Sequence, residues 1–236
     1  MQLFYLNNLT PDIKQSAFDK EESQHIVKVL RMREGQRLEI TNGKGDWFEV
    51  ELTQAHEKKC AFDIIKHQKV EAPKSQLHIV VAPTKMNERL EWFLEKATEI
   101  GIQKISLALC DRSERRNLNI QRLTKILIAA MKQSKQYYLP ELVDLKTLKE
   151  IVKNADEPQK FIAHCDEDLS KNQLTDLIKP QQNTIILIGP EGDFSPKEIE
   201  LAKQHSFQAC ALGHTRLRTE TAALVACHTF VLLRVC

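Results

Sequence analysis

The pattern of apolar and polar positions changes after residue 71 and divides the chain into two parts. In the first part, apolar and polar side chains alternate over residues 37–42 and 46–52, around the turn Asn42-Gly43-Lys44-Gly45. Alternation on both sides of an Asn-Gly turn predicts a β-hairpin. Residues 60–65 predict a third strand, and the apolar spacing over residues 23–31 predicts a helical segment before the hairpin. The first part is therefore expected to be a small β-rich module.

From Gln76 onward, short apolar runs alternate with stretches of helical spacing. Such runs are typical of strands that are buried on both faces of a parallel sheet. The predicted strands cover residues 77–82, 105–109, 161–164, 184–188 and 209–212. The predicted helices cover residues 87–100, 119–134, 148–155, 196–205 and 219–235. The alternation predicts an α/β domain with a mainly parallel sheet over residues 76–236, separate from a domain of residues 1–71.

Two helices carry further signals in their sequence. Ser195-Pro196-Lys197-Glu198 places a capping serine before a proline and a glutamate, which predicts a capping box at a helix start. The last helix, over residues 219–235, is apolar almost all round. A helix of this kind is buried, here against its own sheet and, we expect, against a partner chain.

Composition adds a cellular expectation. Hydrophobic residues make up 42% and charged residues 28% of the chain, as in soluble globular proteins with a core. The six cysteines form no CxxC pair and no signal peptide precedes them, so we expect reduced thiols in the cytoplasm. No apolar run approaches the ~20 residues that a membrane span requires. We therefore expect a soluble cytoplasmic protein without a membrane partner.

The net charge of +2 is nearly neutral, so affinity for nucleic acid has to come from local clusters of basic residues. One such cluster lies between Arg112 and Tyr138, where seven basic residues accompany a single acid, Glu114. A basic stretch that ends in Tyr137-Tyr138 is suited to phosphate contact and base stacking, although a solvated helix face is the alternative. Lys28, Arg31 and Arg33 form a smaller cluster in the first domain.

Two loops carry the candidate chemistry. The predicted strand 184–188 runs into Gly189-Pro190-Glu191-Gly192, where the glycines allow the backbone to approach a flat ligand closely. An ordinary strand-to-helix turn is the alternative for this loop. In the second loop, Thr219 is expected to cap the last helix and Glu220 to complement its dipole. Arg216 and Arg218 are unfavourable beside that helix start, which favours an anionic partner for them.

The two loops in this order resemble those of the SPOUT superfamily of knotted RNA methyltransferases. The nearer resemblance, over essentially the whole chain, is to the bacterial family that methylates uridine N3 in small-subunit (16S) rRNA. The matching motifs are His25 to Arg33 with Asn42-Gly43 in a PUA-like module, Lys85, Glu95 to Gly101, Arg112-Ser113, Gly189 to Gly192 and Leu217 to Ala222. The chain departs from the family pattern at Lys132 to Gln136, at Asp193 and at Thr215-Arg216.

The resemblance implies a trefoil knot in the second domain, a homodimer formed through it, and S-adenosylmethionine as methyl donor. The donor is expected between three loops, which are His164-Cys165-Asp166, Gly189 to Gly192 and Leu212 to Thr219. The expected donor-binding residues are His164, Ile188, Gly189, Pro190, Glu191, Gly192, Leu212, Gly213, Leu217, Arg218 and Thr219.

The resemblance also suggests roles in the reaction and in RNA binding. From the chemistry of the transfer, our hypothesis is that Arg218 stabilises charge on a uracil carbonyl oxygen and that Glu220 accepts the N3 proton, with a role at the helix start as the alternative for Glu220. No metal is expected, because His164-Cys165 and Cys227-His228 lack zinc-ligand spacing. The expected RNA-binding residues are Lys28, Arg31, Arg33, Lys85, Arg112, Arg115, Arg116 and Lys135.

Two other functions are compatible with these motifs. One is a related knotted enzyme that methylates the ribose 2′-hydroxyl or another base, although the Ser-Leu-Asn motif typical of ribose methylation is absent. The other is a non-catalytic RNA-binding factor in ribosome assembly, which would bind no methyl donor.

Overall fold

The computed structural model describes residues 2–165 and 171–235, so Asp166 of the expected donor loops lies outside the described residues. The chain forms two compact units. The first comprises the residues up to Ala72 together with Met131–Leu139, and the second comprises Pro73–Ala130 and the residues from Pro140 onward. From the sequence, residues 131–139 are expected in the second domain.

The first unit contains a five-stranded sheet with the order β1-β3-β4-β5-β2. Its strands are β1 (Leu3–Tyr5), β2 (Gln15–Ala17), β3 (Arg37–Thr41), β4 (Asp46–Gln54) and β5 (Ala61–Lys69). The predicted hairpin is confirmed, because β3 and β4 pair antiparallel with Ile40 opposite Phe48. Phe48, Val50 and Leu52 are buried while the residues between them are half-buried, as the alternation predicts.

The helical segment before the hairpin differs from its prediction. It begins earlier, with α1 (Lys20–Gln24), because the carboxylate of Asp19 accepts a hydrogen bond from Glu22 N and caps the helix. The chain then continues as a π-helix, His25–Val29. Arg31 has a φ of 54°, in the left-handed region, and no helix continues beyond it.

Residues 137–139 complete the hairpin turn of the first unit. Gly45 N donates to Tyr137 O at 2.8 Å, and Leu139 N donates to Gly43 O at 2.9 Å. The Tyr138 hydroxyl donates to Val70 O at 2.8 Å, and its ring lies where a Cβ on Gly45 would be. Tyr138 is therefore held by packing within the unit, whereas the sequence suggested an exposed base-stacking residue.

The second unit contains a seven-stranded sheet with the order β10-β12-β9-β11-β6-β7-β8. Every neighbouring pair is parallel, which confirms the α/β prediction. Its strands are β6 (Leu77–Val81), β7 (Lys104–Leu109), β8 (Glu141–Thr147), β9 (Gln159–Ala163), β10 (Asn172–Gln173), β11 (Thr184–Ile188) and β12 (Gln208–Ala211). The remaining helices are α2 (Asn87–Ile100), α3 (Ile120–Gln133), α4 (Leu148–Asn154), α5 (Leu174–Leu177), α6 (Pro196–Gln204) and α7 (Thr219–Val235).

The central strands β6 and β11 are buried along their whole length, which explains their continuous apolar sequence. The sequence missed β8 and β10, which are the two edges of this sheet. β8 alternates with exposed charged positions, and β10 has only two residues, so neither gives the signal of a buried strand. Within the described ranges, no helix is long and apolar enough to cross a membrane.

Candidate active site

The candidate site lies at the carboxyl ends of three neighbouring strands of the parallel sheet. β9, β11 and β12 are adjacent in the sheet, and each is followed by a loop. Because the strands are parallel, the carboxyl ends of all three meet at the same edge, where α/β proteins usually bind ligands. The loops are those that the sequence singled out.

The loops enclose a cleft made of two adjoining cavities of about 440 Å³ and 290 Å³. Ala163, Cys165, Arg216, Leu217 and Ala222 line both cavities, so the two are continuous. Cavities of this size accommodate small organic ligands and cofactors.

Ten of the expected donor-binding residues line the cleft. They are His164, Ile188, Gly189, Pro190, Glu191, Leu212, Gly213, Leu217, Arg218 and Thr219. Gly192 does not line it, contrary to the prediction. Its carbonyl accepts a hydrogen bond from Arg112 Nη1 at 2.7 Å, and a Cβ on it would meet the Arg112 side chain.

Lining residues that the sequence missed come from the ends of the strands and from the loops. They are Ala163, Lys171, Asp193, Cys210, Ala211 and Ala222, whereas Cys165, His214, Thr215 and Arg216 also line the cleft and lie within the expected donor loops. Arg216 had a signal in the sequence, as a cation close to a helix start, and lies in the expected loop Leu212 to Thr219, although it was not named among the donor-binding residues. The small residues had none, because only the fold shows that they face the cleft.

Asp193 joins the β9 and β11 loops. It has a φ of 63°, a conformation that favours glycine, and it stands where the resembling family carries glycine. Its Oδ2 accepts a hydrogen bond from Cys165 N at 2.9 Å, and its Oδ1 accepts one from Phe194 N at 2.8 Å. The departure from the family pattern thus adds an acceptor that fixes the edge of the cleft.

Thr219 joins the β11 loop to helix α7. Its hydroxyl donates to Gly189 O at 3.0 Å, and Thr219 is itself the first residue of the helix. The expectation that Thr219 is the helix cap was therefore wrong, since the cap position precedes it and the hydroxyl proton is used in the loop. Space at Gly189 is tight, because a Cβ there would lie 3.1 Å from the Phe194 ring.

Residues 171–173 hold both the β12 loop and the β9 loop. Gly213 N donates to Gln173 Oε1 at 3.0 Å, and Lys171 Nζ donates to His164 O at 2.6 Å. Gly213 has a φ of 117°, and a Cβ there would meet only open space, so glycine serves the backbone conformation at this position.

Two exposed arginines line the outer part of the cleft. Arg216 and Arg218 both border the smaller cavity. Neither forms an ion pair within the part of the chain that the structure describes. Two unpaired cations at the mouth of a cleft favour an anionic ligand.

Glu220 follows directly and is 7% exposed. Its Oε1 lies 3.7 Å from Nε of Arg89 on α2, and its Oε2 is buried without a hydrogen-bond partner among the described atoms. A buried carboxylate oxygen without a donor is costly, and such positions are typical of functional sites. Arg89 has no signal in the sequence, because its role depends on how α2 packs against α7.

The expected RNA-binding residues of the second unit differ in their surroundings. Arg112 donates to the carbonyls of Gly192 and Phe194, and Arg115 donates to Lys85 O and to Asn87 Oδ1. These two side chains therefore brace loops. Lys85 Nζ pairs with Glu114 at 3.0 Å on the surface, and Arg116 is exposed.

Three more of these residues lie in the first unit, with Lys135. Lys28 pairs with Glu57 at 2.8 Å, and Lys135 lies 3.9 Å from Glu39. Arg31 and Arg33 line a shallow cavity of about 520 Å³. All four are exposed side chains.

The buried thiols are chemically unreactive. Burial raises the pKa of Cys210 and of Cys227 to about 12, and it raises the pKa of Cys110 further. Cys210 thus presents a neutral, weakly polar surface to the cleft. The described residues contain no group of three or more His, Cys, Asp or Glu side chains that could hold a metal ion.

Two family models match the chain. One is described as an RNA methyltransferase domain and covers residues 70–231, and the other is described as an RNA methyltransferase PUA domain and covers residues 18–65.

Among curated proteins, the chain is 28% identical to the ribosomal RNA small subunit methyltransferase E of Rickettsia conorii, covering 94% of this chain and 91% of that protein. It is 30% identical to the protein of the same name from Buchnera aphidicola subsp. Acyrthosiphon pisum, over 91% of this chain and 87% of that protein.

Among solved structures, the chain is similar to a probable rRNA methyltransferase from Porphyromonas gingivalis, with 37% identity, a TM-score of 0.92 and 100% and 99% coverage of the two chains. It is also similar to a methyltransferase candidate from Legionella pneumophila in complex with the cofactor SAM, with 28% identity, a TM-score of 0.86 and 98% and 97% coverage.

Proposed function

This chain belongs to the RNA methyltransferase family, and we propose that it transfers a methyl group from S-adenosylmethionine to N3 of a uridine in small-subunit ribosomal RNA. The names of the relatives support small-subunit rRNA as substrate, and the SAM-bound Legionella structure supports the donor. N3 as the acceptor atom rests on the sequence motifs. A cytoplasmic location follows from this substrate.

The observation that carries the proposal is the three-loop cleft at the ends of β9, β11 and β12. Its apolar walls and closely approaching glycine backbone at Gly189 suit a flat adenosyl group. Ile188, Leu212 and Leu217 would hold that group through their backbone, and Arg218 lines the smaller cavity together with Ile188 and Leu217. When bound, the donor supplies an electrophilic methyl carbon on a positively charged sulfur.

The residues of this chain position the acceptor base and accept one proton from it. Uracil N3 forms the new bond to the methyl carbon while the carbon–sulfur bond breaks and its electrons stay on sulfur. The N3 proton passes to Glu220, whose Oε2 has no hydrogen-bond partner among the described atoms. Arg218 stabilises the negative charge that develops on the uracil carbonyl oxygens. Arg89 acts as a positioning residue for the Glu220 carboxylate.

We also propose that the protein works as a homodimer, with a trefoil knot in the second unit. Helix α7 leaves Leu232 exposed and Leu224 half-buried, and Trp92 of α2 is 42% exposed. Exposed apolar side chains on two helices that pack together are suited to an interface with a second copy. The first unit would contribute Lys28, Arg31 and Arg33 to RNA binding.

The test uses the purified protein and small-subunit rRNA from cells in which its gene is deleted. We expect one methyl group per rRNA, mapped by mass spectrometry of nucleoside digests to N3 of a uridine. A methyl group on ribose or on another base would support the related knotted enzymes instead. Calorimetry with S-adenosylhomocysteine that shows no binding would support the non-catalytic assembly factor.

A further inference from the structure

A second concave site lies at the carboxyl ends of the strands of the parallel sheet, as the donor cleft does. It is a cavity of about 550 Å³ beside the carboxyl ends of β7 and β8 and the starts of α4 and α6. Three cations line it, Arg116, Lys149 and Lys197, together with two acids, Asp111 and Glu198. We call these five residues with their cavity the basic cavity.

The two acids of the basic cavity already accept hydrogen bonds from the protein. Asp111 Oδ2 accepts from Ser195 Oγ at 2.6 Å. The Glu198 carboxylate accepts from Asp111 N at 2.9 Å and from Ser195 N at 2.8 Å. These carboxylates therefore serve the local structure, and neither reaches a lining cation within ion-pair distance.

The three cations, by contrast, have no internal role in the described structure. Arg116, Lys149 and Lys197 are exposed, and none makes a side-chain hydrogen bond or an ion pair with another described residue. Their charges are thus available to a ligand.

Both lysines also stand where a cation weakens its own helix. Thr147-Leu148-Lys149-Glu150 and Ser195-Pro196-Lys197-Glu198 are two capping boxes, and each places a lysine at the second helical position. A positive charge there opposes the helix dipole, and the absence of an internal partner leaves that cost uncompensated. The same unfavourable choice at two helices that border one cavity points to a ligand that carries negative charge.

We propose that the basic cavity binds phosphate groups of the RNA strand that flanks the target uridine; this inference rests on the proposed function. β11, which borders the donor cleft, and β7, which borders the cavity, are separated only by β6, so these two strands lie roughly 10 Å apart at about 4.8 Å per strand spacing. The loop between the two sites is shared, because Arg112 donates to Gly192 O and Ser195 donates to Asp111. RNA seated in the cavity therefore lies within a few nucleotides of the reacting base.

The test compares two double variants. Lys149→Gln with Lys197→Gln removes the lysines of the basic cavity. Lys153→Gln with Lys203→Gln removes exposed lysines from the last turns of the same two helices. Binding of a fluorescent small-subunit rRNA transcript is followed by anisotropy over a range of salt concentrations, without donor. Affinity for S-adenosylhomocysteine is measured by calorimetry as a check on the cleft.

For the cavity variant, we expect the slope of log affinity against log salt to fall by ~1.4, since each lost single-strand phosphate contact contributes ~0.7, and affinity to fall roughly tenfold. Adding Arg116→Gln should lower both further, with affinity for S-adenosylhomocysteine unchanged. The melting temperature should rise for the cavity variant and stay level or fall for the control, because the two pairs of lysines occupy opposite ends of the helix dipoles.

Equal RNA affinity and salt slope in the two double variants would overturn the basic cavity as an RNA site. So would a thermal shift with inorganic phosphate that depends on Lys149 and Lys197 while RNA affinity does not, because the cavity would then bind small anions only. If the wild-type protein neither binds nor methylates rRNA, the proposed function fails as well. If the wild-type protein binds and methylates rRNA but the two double variants have equal RNA affinity and salt slope, only the proposal about the basic cavity is refuted.

Discussion

Replacing Glu220 by glutamine separates a proton acceptor from a structural carboxylate. At the 3.7 Å between Arg89 Nε and Glu220 Oε1, Coulomb's law gives a gross attraction of about 4.5 kcal/mol at an effective dielectric constant of ~20. Burying the carboxylate opposes this by several kcal/mol. Arg89 is 30% exposed and can be solvated by water once the charge is gone. We therefore expect the free energy of unfolding to change by about 1 kcal/mol or less.

The effect on turnover should be much larger. Loss of a general base typically lowers the rate by ~10²–10⁴-fold. Steady-state methyl transfer to rRNA should show this in kcat, with little change in affinity for S-adenosylhomocysteine. The rate of the variant should recover as pH rises, because uracil then loses its N3 proton to hydroxide. A merely structural carboxylate predicts no such recovery.

Arg89 provides the matched control for this experiment. Arg89→Gln should lower kcat less than Glu220→Gln does, and Arg89→Lys should restore part of the loss because a cation again faces the carboxylate. Wild-type turnover by Glu220→Gln at neutral pH would refute the proton-acceptor role. A large loss of stability in Glu220→Gln, with turnover lost in proportion to unfolding, would refute the energetic reasoning.

Three further predictions concern other sites. Arg218→Ala should lower kcat by ~10²-fold or more while the melting temperature stays constant, because the side chain is exposed and unpaired in the described structure; unchanged kcat would contradict its role. In the folded protein at pH 8, iodoacetamide should modify exposed Cys165 and spare buried Cys210, whose pKa is raised to about 12, as peptide mass spectrometry will show. The modification should block donor binding in calorimetry, because Cys165 lines both cavities. Gly45→Ala should destabilise the protein by about 2–4 kcal/mol, from left-handed backbone strain and collision with the Tyr138 ring, whereas Gly35→Ala should cost about 1 kcal/mol, from strain alone; denaturant unfolding measures the difference.

The sequence predicted the elements whose signal is local. Helices α2 and α7 have the predicted bounds, because α2 has one apolar face and ends at Gly101 in the left-handed conformation, and α7 is a long apolar run. The capping box at Ser195 is likewise confirmed by the reciprocal hydrogen bonds with Glu198. Edge strand β8 escaped prediction because exposed charged residues interrupt its apolar positions.

The sequence singled out the loops of the candidate site because each loop follows an apolar run that predicts a strand. The sequence could not show which hydrogen bonds and contacts join one loop to another. Gly192 was expected to face the donor, but Arg112 from another strand end occupies its surroundings. Arg89 and the basic cavity depend on how helices pack, which no spacing along the chain encodes.

The participation of residues 137–139 in the hairpin turn has a consequence for synthesis of the protein. Gly43 O and Gly45 N form backbone hydrogen bonds with Leu139 and Tyr137, which follow β6, α2, β7 and α3 in the chain. During translation, the turn of the amino-terminal sheet therefore cannot form these hydrogen bonds until residues 137–139 have been synthesised. A polypeptide that ends at Ala72 leaves these groups to water and the Tyr138 position empty, so we expect it to fold less stably than the same residues within the full chain.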